Sequence, residues 1–319
     1  MIFDSESVFE DNVITVLKQH GWKDGVLRYP TEQDLLDNWK GILYRNNNDI
    51  DRLGKYPLTD GEMAQIIEQI ETLRTPLALN SFVNGRTVSI TRDNKEDVAH
   101  FGKEISLYIY DRKEIAGGKS TYQIAQQPVY PAKNKMLNSR RGDLVLLING
   151  MPLIHIELKK SGIPVSQATN QIEKYAHEGV FTGLFRLVQI FVAMNPDDAV
   201  YFANPGVDKF NPSYYFHWAD YNNEPICGGQ NPGKDEWKLF IGGTSGTAGL
   251  LSIPMAHQLI GFYTIADSAD GCLKVLRSYQ YIAANAISDV VRKCDWEQRP
   301  ATPGRPGGYV WHTTGSGKP

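Results

Sequence analysis

Between residues 6 and 20 the apolar positions Val8, Phe9, Val13, Val16 and Leu17 recur at near-helical spacing and Gly21 closes the run, so the pattern predicts an amphipathic helix. A second helix is predicted over 32–45, where Leu35, Leu36, Trp39, Ile42 and Leu43 form a stripe and Thr31 can cap the first turn. A third is predicted over 61–74, with Ile66, Ile67, Ile70 and Leu73 on one face and Asp60 as its cap. The period then changes. Alternation and a high aromatic and β-branched content favour strands over 104–110 and 122–129, with Gly117-Gly118 marking a turn between them.

Residues 142–148 and 153–159 read as a β-hairpin around Asn149-Gly150, a dipeptide that tolerates the positive φ angles of a tight turn. A helix opening near Pro164 and carrying Gln167, Gln171, Ile172, Tyr175 and Ala176 follows, and then strands over 188–194 and 199–203. From 204 to 249 the chain is rich in Gly, Pro, Asn and aromatics and shows little periodicity, and a domain boundary is expected at its end, dividing 1–245 from 246–319. Helices over 254–265 and 277–293 lead through a Pro- and Gly-rich stretch, 299–308, into a short strand at 309–311. The order helix, strands, helix, strand predicts an α/β fold with a mixed sheet flanked by helices.

With 319 residues, 41% hydrophobic and 22% charged, the chain has the length for a sizeable core in two units. Its longest apolar stretches, such as 187–194, fall far short of the roughly 18 to 20 residues that span a bilayer. The acidic N-terminus lacks a charged-then-apolar leader pattern, so a cytoplasmic protein with no membrane partner is expected. Cys227, Cys272 and Cys294 are far apart and form no CxxC pair, so neither a disulfide framework nor a structural zinc site is indicated and reduced thiols are expected. A net charge of −3 gives no global pull toward nucleic acid. Local positive charge gathers between 133 and 160, where Lys133, Lys135, Arg140, Arg141, Lys159 and Lys160 face only Asp143 and Glu157. A solvated face displays the same kind of run.

Metal-assisted phosphodiester hydrolysis needs hard oxygen ligands for Mg²⁺, a cation to stabilise charge or orient water, and a rigid support. The hairpin offers all three in Asp143, Glu157 and Lys159, the pattern of a PD-(D/E)xK nuclease. Glu157 and Lys159 are two apart, so they emerge on one face of their strand together with His155, while Ile154, Ile156 and Leu158 point to the other. Register tests this. A two-residue Asn149-Gly150 loop would pair Asp143 with Ile156 and put Glu157 on the opposite side. An odd-length loop such as Ile148-Asn149-Gly150, or another local bulge, is therefore expected; that loop sets Asp143 across from His155 and about 7 Å from Glu157 on the diagonal. The three residues are expected in a polar cleft, so that replacing them by Ala leaves folding nearly unchanged. D…ExK alone also arises by chance on the wet face of an ordinary hairpin.

The run Arg141-Gly142-Asp143-Leu144-Val145-Leu146-Leu147-Ile148-Asn149-Gly150-Met151-Pro152-Leu153, followed by Ile156-Glu157-Leu158-Lys159, resembles the nuclease hairpin of the restriction (R) subunit of type I restriction-modification enzymes. Gln171 and Tyr175 match that family's QxxxY motif, and one helical turn of separation puts both on one face, toward DNA phosphate or the catalytic Lys. In the family's first helix an acidic side chain approaches the metal site; Glu6 and Glu10 share a face here, and Glu10 is the expected one. Acids also suit a first helical turn for electrostatic reasons alone.

The terminal His312-Thr313-Thr314-Gly315-Ser316-Gly317-Lys318 is similar to the start of a Walker A loop of a superfamily 2 helicase motor. Gly315, Gly317 and Lys318 would be its ATP-binding residues. Pro319 stands where such loops carry the Ser or Thr that holds Mg²⁺, and the sequence stops there, so no ATPase activity is expected of this polypeptide. Arg277-Ser278-Tyr279-Gln280 resembles the adenine-recognising segment ahead of such motors, with Gln280 reading the base.

The resemblance thus implies a restriction-endonuclease-like domain followed by the beginning of a helicase RecA-like domain. It also implies Mg²⁺ held by Asp143 and Glu157, charge stabilisation by Lys159, and support or DNA contact from Arg141, Gln171, Tyr175 and Glu10. Implied partners are double-stranded DNA and the methylation and specificity subunits, with ATP serving the full-length enzyme. Two other readings stay open, a catalytically silent docking module and a standalone repair nuclease. The intact Asp143, Glu157 and Lys159 set argues against the first, and the motor-like terminus against the second.

Overall fold

The computed structural model describes residues 2–131, 140–229, 235–269, 271–293 and 310. Helix α1 (Glu6–Gln19) begins at Ser5, whose side chain accepts the N–H of Val8. After strand β1 (Val26–Arg28) come α2 (Glu32–Asn46) and α3 (Asp60–Thr72). Both helices start with reciprocal capping boxes, Thr31 with Asp34 and Thr59 with Glu62. The expected cap Asp60 is instead the first helical residue of α3, because Thr59 supplies the capping oxygen and Asp60 pairs with Lys40 at 2.6 Å.

Then follow α4 (Pro76–Asn84), β2 (Thr87–Thr91), β3 (Glu104–Tyr108), β4 (Tyr122–Gln126), β5 (Leu144–Ile148), β6 (Met151–Leu158), α5 (Val165–Glu178), β7 (Ile190–Met194) and β8 (Ala199–Ala203). The described chain continues through α6 (Glu236–Gly242), α7 (Met255–Phe262), β9 (Thr264–Asp267), β10 (Cys272–Val275) and α8 (Ser278–Lys293). Of the expected terminal strand only Val310 is described, in no regular element, and Gly315, Gly317 and Lys318 lie outside the described residues.

The main sheet has six strands in the order β1-β4-β5-β6-β7-β8. β1 runs parallel to β4 and β6 parallel to β7, while the other neighbours are antiparallel. The expected mixed sheet flanked by helices is present. β3 does not join β4 across Gly117-Gly118 as the alternation suggested; it pairs with β2 in a separate two-stranded sheet. Every residue of β4 through β8 is buried, so the sheet is covered on both faces and its strands read as continuous apolar runs. One cover is α5, which packs Ala168, Ile172, Tyr175 and Ala176 inward and ends at Gly179 in the left-handed conformation. Another is α1, whose Phe9 stacks edge-on with Trp237 of α6 and whose buried face reaches β6. Leu250, Leu259, Leu273 and Val275 belong to the same core as the sheet.

The hairpin β5–β6 carries the register. Its turn has two residues, with Asn149 at φ 53° and Gly150 at φ 84°, the backbone of a type I′ turn. Ile148 therefore pairs with Met151, and the odd-length loop does not form. The parity is corrected further along. Leu147 pairs with Pro152 but Leu146 pairs with Ile154, so Leu153 is the extra residue of a bulge. Leu144 then pairs with Ile156, and one step more places Asp143 level with Glu157 on one side of the sheet.

Candidate active site

Asp143 stands at the entrance to β5, where its Oδ2 accepts the backbone N–H of Leu158 at 2.7 Å. Glu157 is fully buried and Lys159 nearly so. The expectation of an open polar cleft is corrected here, because α1, α5 and the sheet cover both faces of β6 and leave Glu157 at the floor of the site. The Lys159 ammonium donates to the Leu158 carbonyl at 2.8 Å and stands 3.7 Å from Glu157 Oε1 and 3.6 Å from Glu6 Oε1. Two neighbouring strands and one helix thus bring Asp143, Glu157, Lys159 and Glu6 together.

Burial dominates the electrostatics. It pushes the carboxyls of Asp143 and Glu157 well above the usual range; the charge of Glu157 raises Asp143 further, while Lys159 pulls both back. Neither oxygen of Glu157 has a hydrogen-bond partner within the protein. The buried Glu157, short of partners, and the half-buried Asp143, with Glu6 nearby and one lysine, form a site with surplus negative charge and hard oxygen donors. That donor set fits Mg²⁺, which keeps several waters or phosphate oxygens besides one or two carboxylates. Among the described residues no group of three His, Cys, Asp or Glu side chains could hold a metal ion, so substrate or water oxygens would complete the shell.

The supporting residues expected from sequence sit around this core. Glu10 is buried and held by Gln126 Nε2 at 2.6 Å and Gln127 Nε2 at 3.2 Å, and burial, with the charge of Asp143 adding to it, raises its carboxyl. Of Glu6 and Glu10 it is Glu6 that contacts Lys159. Gln171 Nε2 donates to the Tyr175 hydroxyl at 2.7 Å, and that hydroxyl donates to the Arg141 carbonyl at 2.9 Å. The pair therefore braces the backbone two residues ahead of Asp143 and does not reach Lys159. Arg140 is locked to Glu178 by two bonds of 2.9 Å, and the exposed Arg141 guanidinium lies 5.6 Å from the Tyr29 ring centre. Along α5 an open polar cavity of about 340 Å³ is lined by Arg140, Gln167, Asn170, Gln171, Lys174 and Tyr175.

Tyr130 was not anticipated. Its hydroxyl meets His155 Nδ1 at 2.8 Å, a contact between segments with no shared sequence pattern. Gln280 lies far along the chain, at the start of α8, where its Oε1 accepts the Arg277 N–H at 3.0 Å. It lines a separate cavity of about 370 Å³ with Phe202, Tyr215, Phe216 and Arg277. Among the described residues no helix is long and apolar enough to cross a membrane.

The family described as "Type I restriction enzyme R protein N terminus" matches residues 4–210. The chain is 30% identical over 326 residues to the type I restriction enzyme SsaAORF53P endonuclease subunit of Staphylococcus saprophyticus subsp. saprophyticus, covering 100% of this chain and 29% of that protein. It is 30% identical over 320 residues to the SauCOLORF180P endonuclease subunit of Staphylococcus aureus (strain COL), with the same coverage of 100% and 29%. Against the EcoprrI endonuclease subunit of Escherichia coli the identity is 27% over 318 residues, 90% of this chain and 91% of the relative. The chain spans less than a third of the staphylococcal relatives' length, 29%. The match over residues 4–210, which contains the hairpin and α5, places the chain in the family of type I restriction enzyme R protein N termini.

Proposed function

We propose that this chain carries the Mg²⁺-dependent DNA endonuclease of a type I restriction enzyme motor subunit, which cuts unmodified double-stranded DNA after ATP-driven translocation. The observation that carries the reading is the convergence of Asp143, Glu157 and Lys159 through the bulged register of β5 and β6. Asp143 and Glu157 would hold Mg²⁺, which supplies Lewis acidity at a phosphate oxygen and a more acidic water. Lys159, fixed between Glu157 and Glu6, places positive charge where negative charge develops on the phosphate. Gln171 and Tyr175 keep the backbone before Asp143 in position, and the cavity along α5, with Lys174 and Arg140 at its rim, suits the sugar-phosphate backbone.

In this reading residues 246–319 form a linker and the opening of the RecA-like motor, and the aromatic cavity beside Gln280 receives the adenine of ATP. The partners are DNA and the methylation and specificity subunits, and the compartment is the cytoplasm. The experiment is restriction of unmodified DNA by the full-length subunit assembled with its partners, given Mg²⁺ and ATP, comparing wild type with Lys159→Ala. Retained ATP hydrolysis with loss of cutting is the expected result. A variant that cuts normally would make the hairpin scaffold and move the chemistry elsewhere.

A further inference from the structure

At the edge of the main sheet, on the same level as Asp143, stands an exposed ring that the proposed reaction does not use. Tyr29 follows the edge strand β1, and its N–H donates to the Gln126 carbonyl at 2.8 Å. The next residue of that neighbouring segment, Gln127, donates its own N–H to the Asp143 carbonyl at 2.7 Å. Arg28 pairs with Gln126 and Gln126 with Leu144, so one step further Tyr29, Gln127 and Asp143 lie level across adjoining strands. Adjacent strands stand about 4.8 Å apart, which puts the Tyr29 backbone about 10 Å from that of Asp143. That distance corresponds to about three nucleotides of one DNA strand, at about 3.4 Å each along the axis.

Packing does not account for the ring. Tyr29 is 49% exposed, yet its backbone is held in the left-handed region at φ 55°, where a bulky side chain is a genuine outlier. Residues kept in such conformations gather at functional sites. The Arg141 guanidinium lies over the ring, 5.6 Å from its centre, inside the cation–π range of about 6 Å. Arg141 is firmly mounted, because its backbone bridges to Val129 and its carbonyl accepts the Tyr175 hydroxyl at 2.9 Å. Arg28 and Arg141 are both exposed, and among the described residues neither is paired with a carboxylate. Uncompensated positive charge thus meets a planar ring that has a cation behind it and solvent in front. Proteins that follow a single strand use this combination, with basic side chains on the phosphates and bases stacked on aromatic rings. A base can lie on the ring only after leaving its own stack, so the partner that fits is a strand unpaired at that point.

We propose that Tyr29, backed by Arg141, is a stacking platform for an unpaired base of the DNA strand being cut, about three nucleotides from the scissile phosphate. The chain therefore favours duplex interrupted by a single-stranded gap over uninterrupted duplex. The inference rests on the reading of Asp143 as part of the cleavage site, which decides where along the strand the ring is met.

Fluorescence anisotropy of the 319-residue chain tests it, with Ca²⁺ in place of Mg²⁺ so that binding is read without cleavage. The ligands are a short duplex and the same duplex with a gap of a few nucleotides in one strand. The unaltered chain should bind the gapped duplex about 5-fold more tightly or better, the lower end of what one base–aromatic stack contributes. Tyr29→Phe keeps the ring and should keep the preference. Tyr29→Asn accepts the left-handed backbone but has no ring; it should melt like the unaltered chain and bind the two duplexes equally. Lys159→Ala, which leaves the ring untouched, should keep the preference. Equal affinity of the unaltered chain for the two duplexes, or a preference that survives in Tyr29→Asn, overturns the platform alone. If Lys159→Ala cuts normally in the assembled enzyme, the hairpin reading fails, and the place of the platform beside the cut fails with it.

Discussion

The Asp143 carboxylate accepts the backbone N–H of Leu158 at 2.7 Å, tying the acid at the mouth of β5 to the peptide between Glu157 and Lys159. The bond spans the bulged pair of strands, so it forms only in the register that also brings the two carboxylates level. It uses one oxygen of Asp143, while Glu157 next to it has none of its oxygens satisfied within the protein. A buried and a half-buried acid are held close although their charges repel, and this is unfavourable for folding unless a cation joins them.

The folded chain disfavours the ionised form of Glu157, chiefly through burial. Its folded pKa is raised, so stability is lost as pH rises from the ordinary carboxylate value of 4.5 toward the higher folded one. In chelator, Glu157→Gln should melt with the unaltered chain near pH 5 and be more stable near pH 9 by about 1–3 kcal/mol. Thermal denaturation at the two pH values checks this. Coincident melting at both would mean that Glu157 ionises as freely as in water.

Glu6 is half exposed and stands 3.6 Å from the Lys159 ammonium. Its charge acts on both Asp143 and Glu157. Glu6→Gln should raise the Mg²⁺ concentration for half-maximal cleavage by about 2- to 5-fold, as expected for a screened charge at the edge of the site, and leave the rate at saturating Mg²⁺ nearly unchanged. A large fall in the saturated rate would make Glu6 a direct participant.

Tyr175 links α5 to the strand ahead of Asp143 through the Arg141 carbonyl. Tyr175→Phe removes that donor and leaves Gln171 without its acceptor, at a cost of about 1–3 kcal/mol. Urea denaturation should show this loss, and cleavage should fall further than DNA binding does. If binding falls as much as cleavage, the motif touches DNA directly.

Away from the site, the Arg92 guanidinium is fully buried between Glu62 at 2.7 Å and Asp97 at 2.9 Å and also donates to the carbonyls of Tyr56 and Pro57. Arg92→Met would strand two carboxylates, costing about 3–5 kcal/mol. Chemical denaturation measures it; a loss below about 1 kcal/mol would show that the carboxylates escape to water.

What the sequence makes legible is uneven for physical reasons. β8 matches its predicted limits of 199–203, and β7, Ile190–Met194, begins two residues inside the predicted 188–194, because buried apolar runs bounded by turns leave few alternatives. β1 is three residues of half-buried edge strand, and β2 finds its partner β3 across a long loop, so neither has a local pattern to announce it. Thr59 and Asp60 are both good capping residues, and only the backbone decides between them. At the site, Asp143, Glu157 and Lys159 are readable because their chemistry requires a fixed spacing along two adjoining strands. Tyr130 and Glu6 reach the same place from other segments through packing, which no short spacing encodes.

The extra residue Leu153 separates two functions of the hairpin. The Asn149-Gly150 turn needs an even count of residues to close, whereas the acids need an odd one to share a face, and the bulge satisfies both. Lengthening or shortening both arms by one residue each keeps this parity, so the separation between Asp143 and Glu157 can drift in steps of two without harm. Deleting Leu153 alone would turn Glu157 and Lys159 to the far side of the sheet while the turn still closed and the apolar pattern still folded. The hairpin would then persist as a strand pair with its chemistry facing away from Asp143, a failure that a stability assay alone would understate.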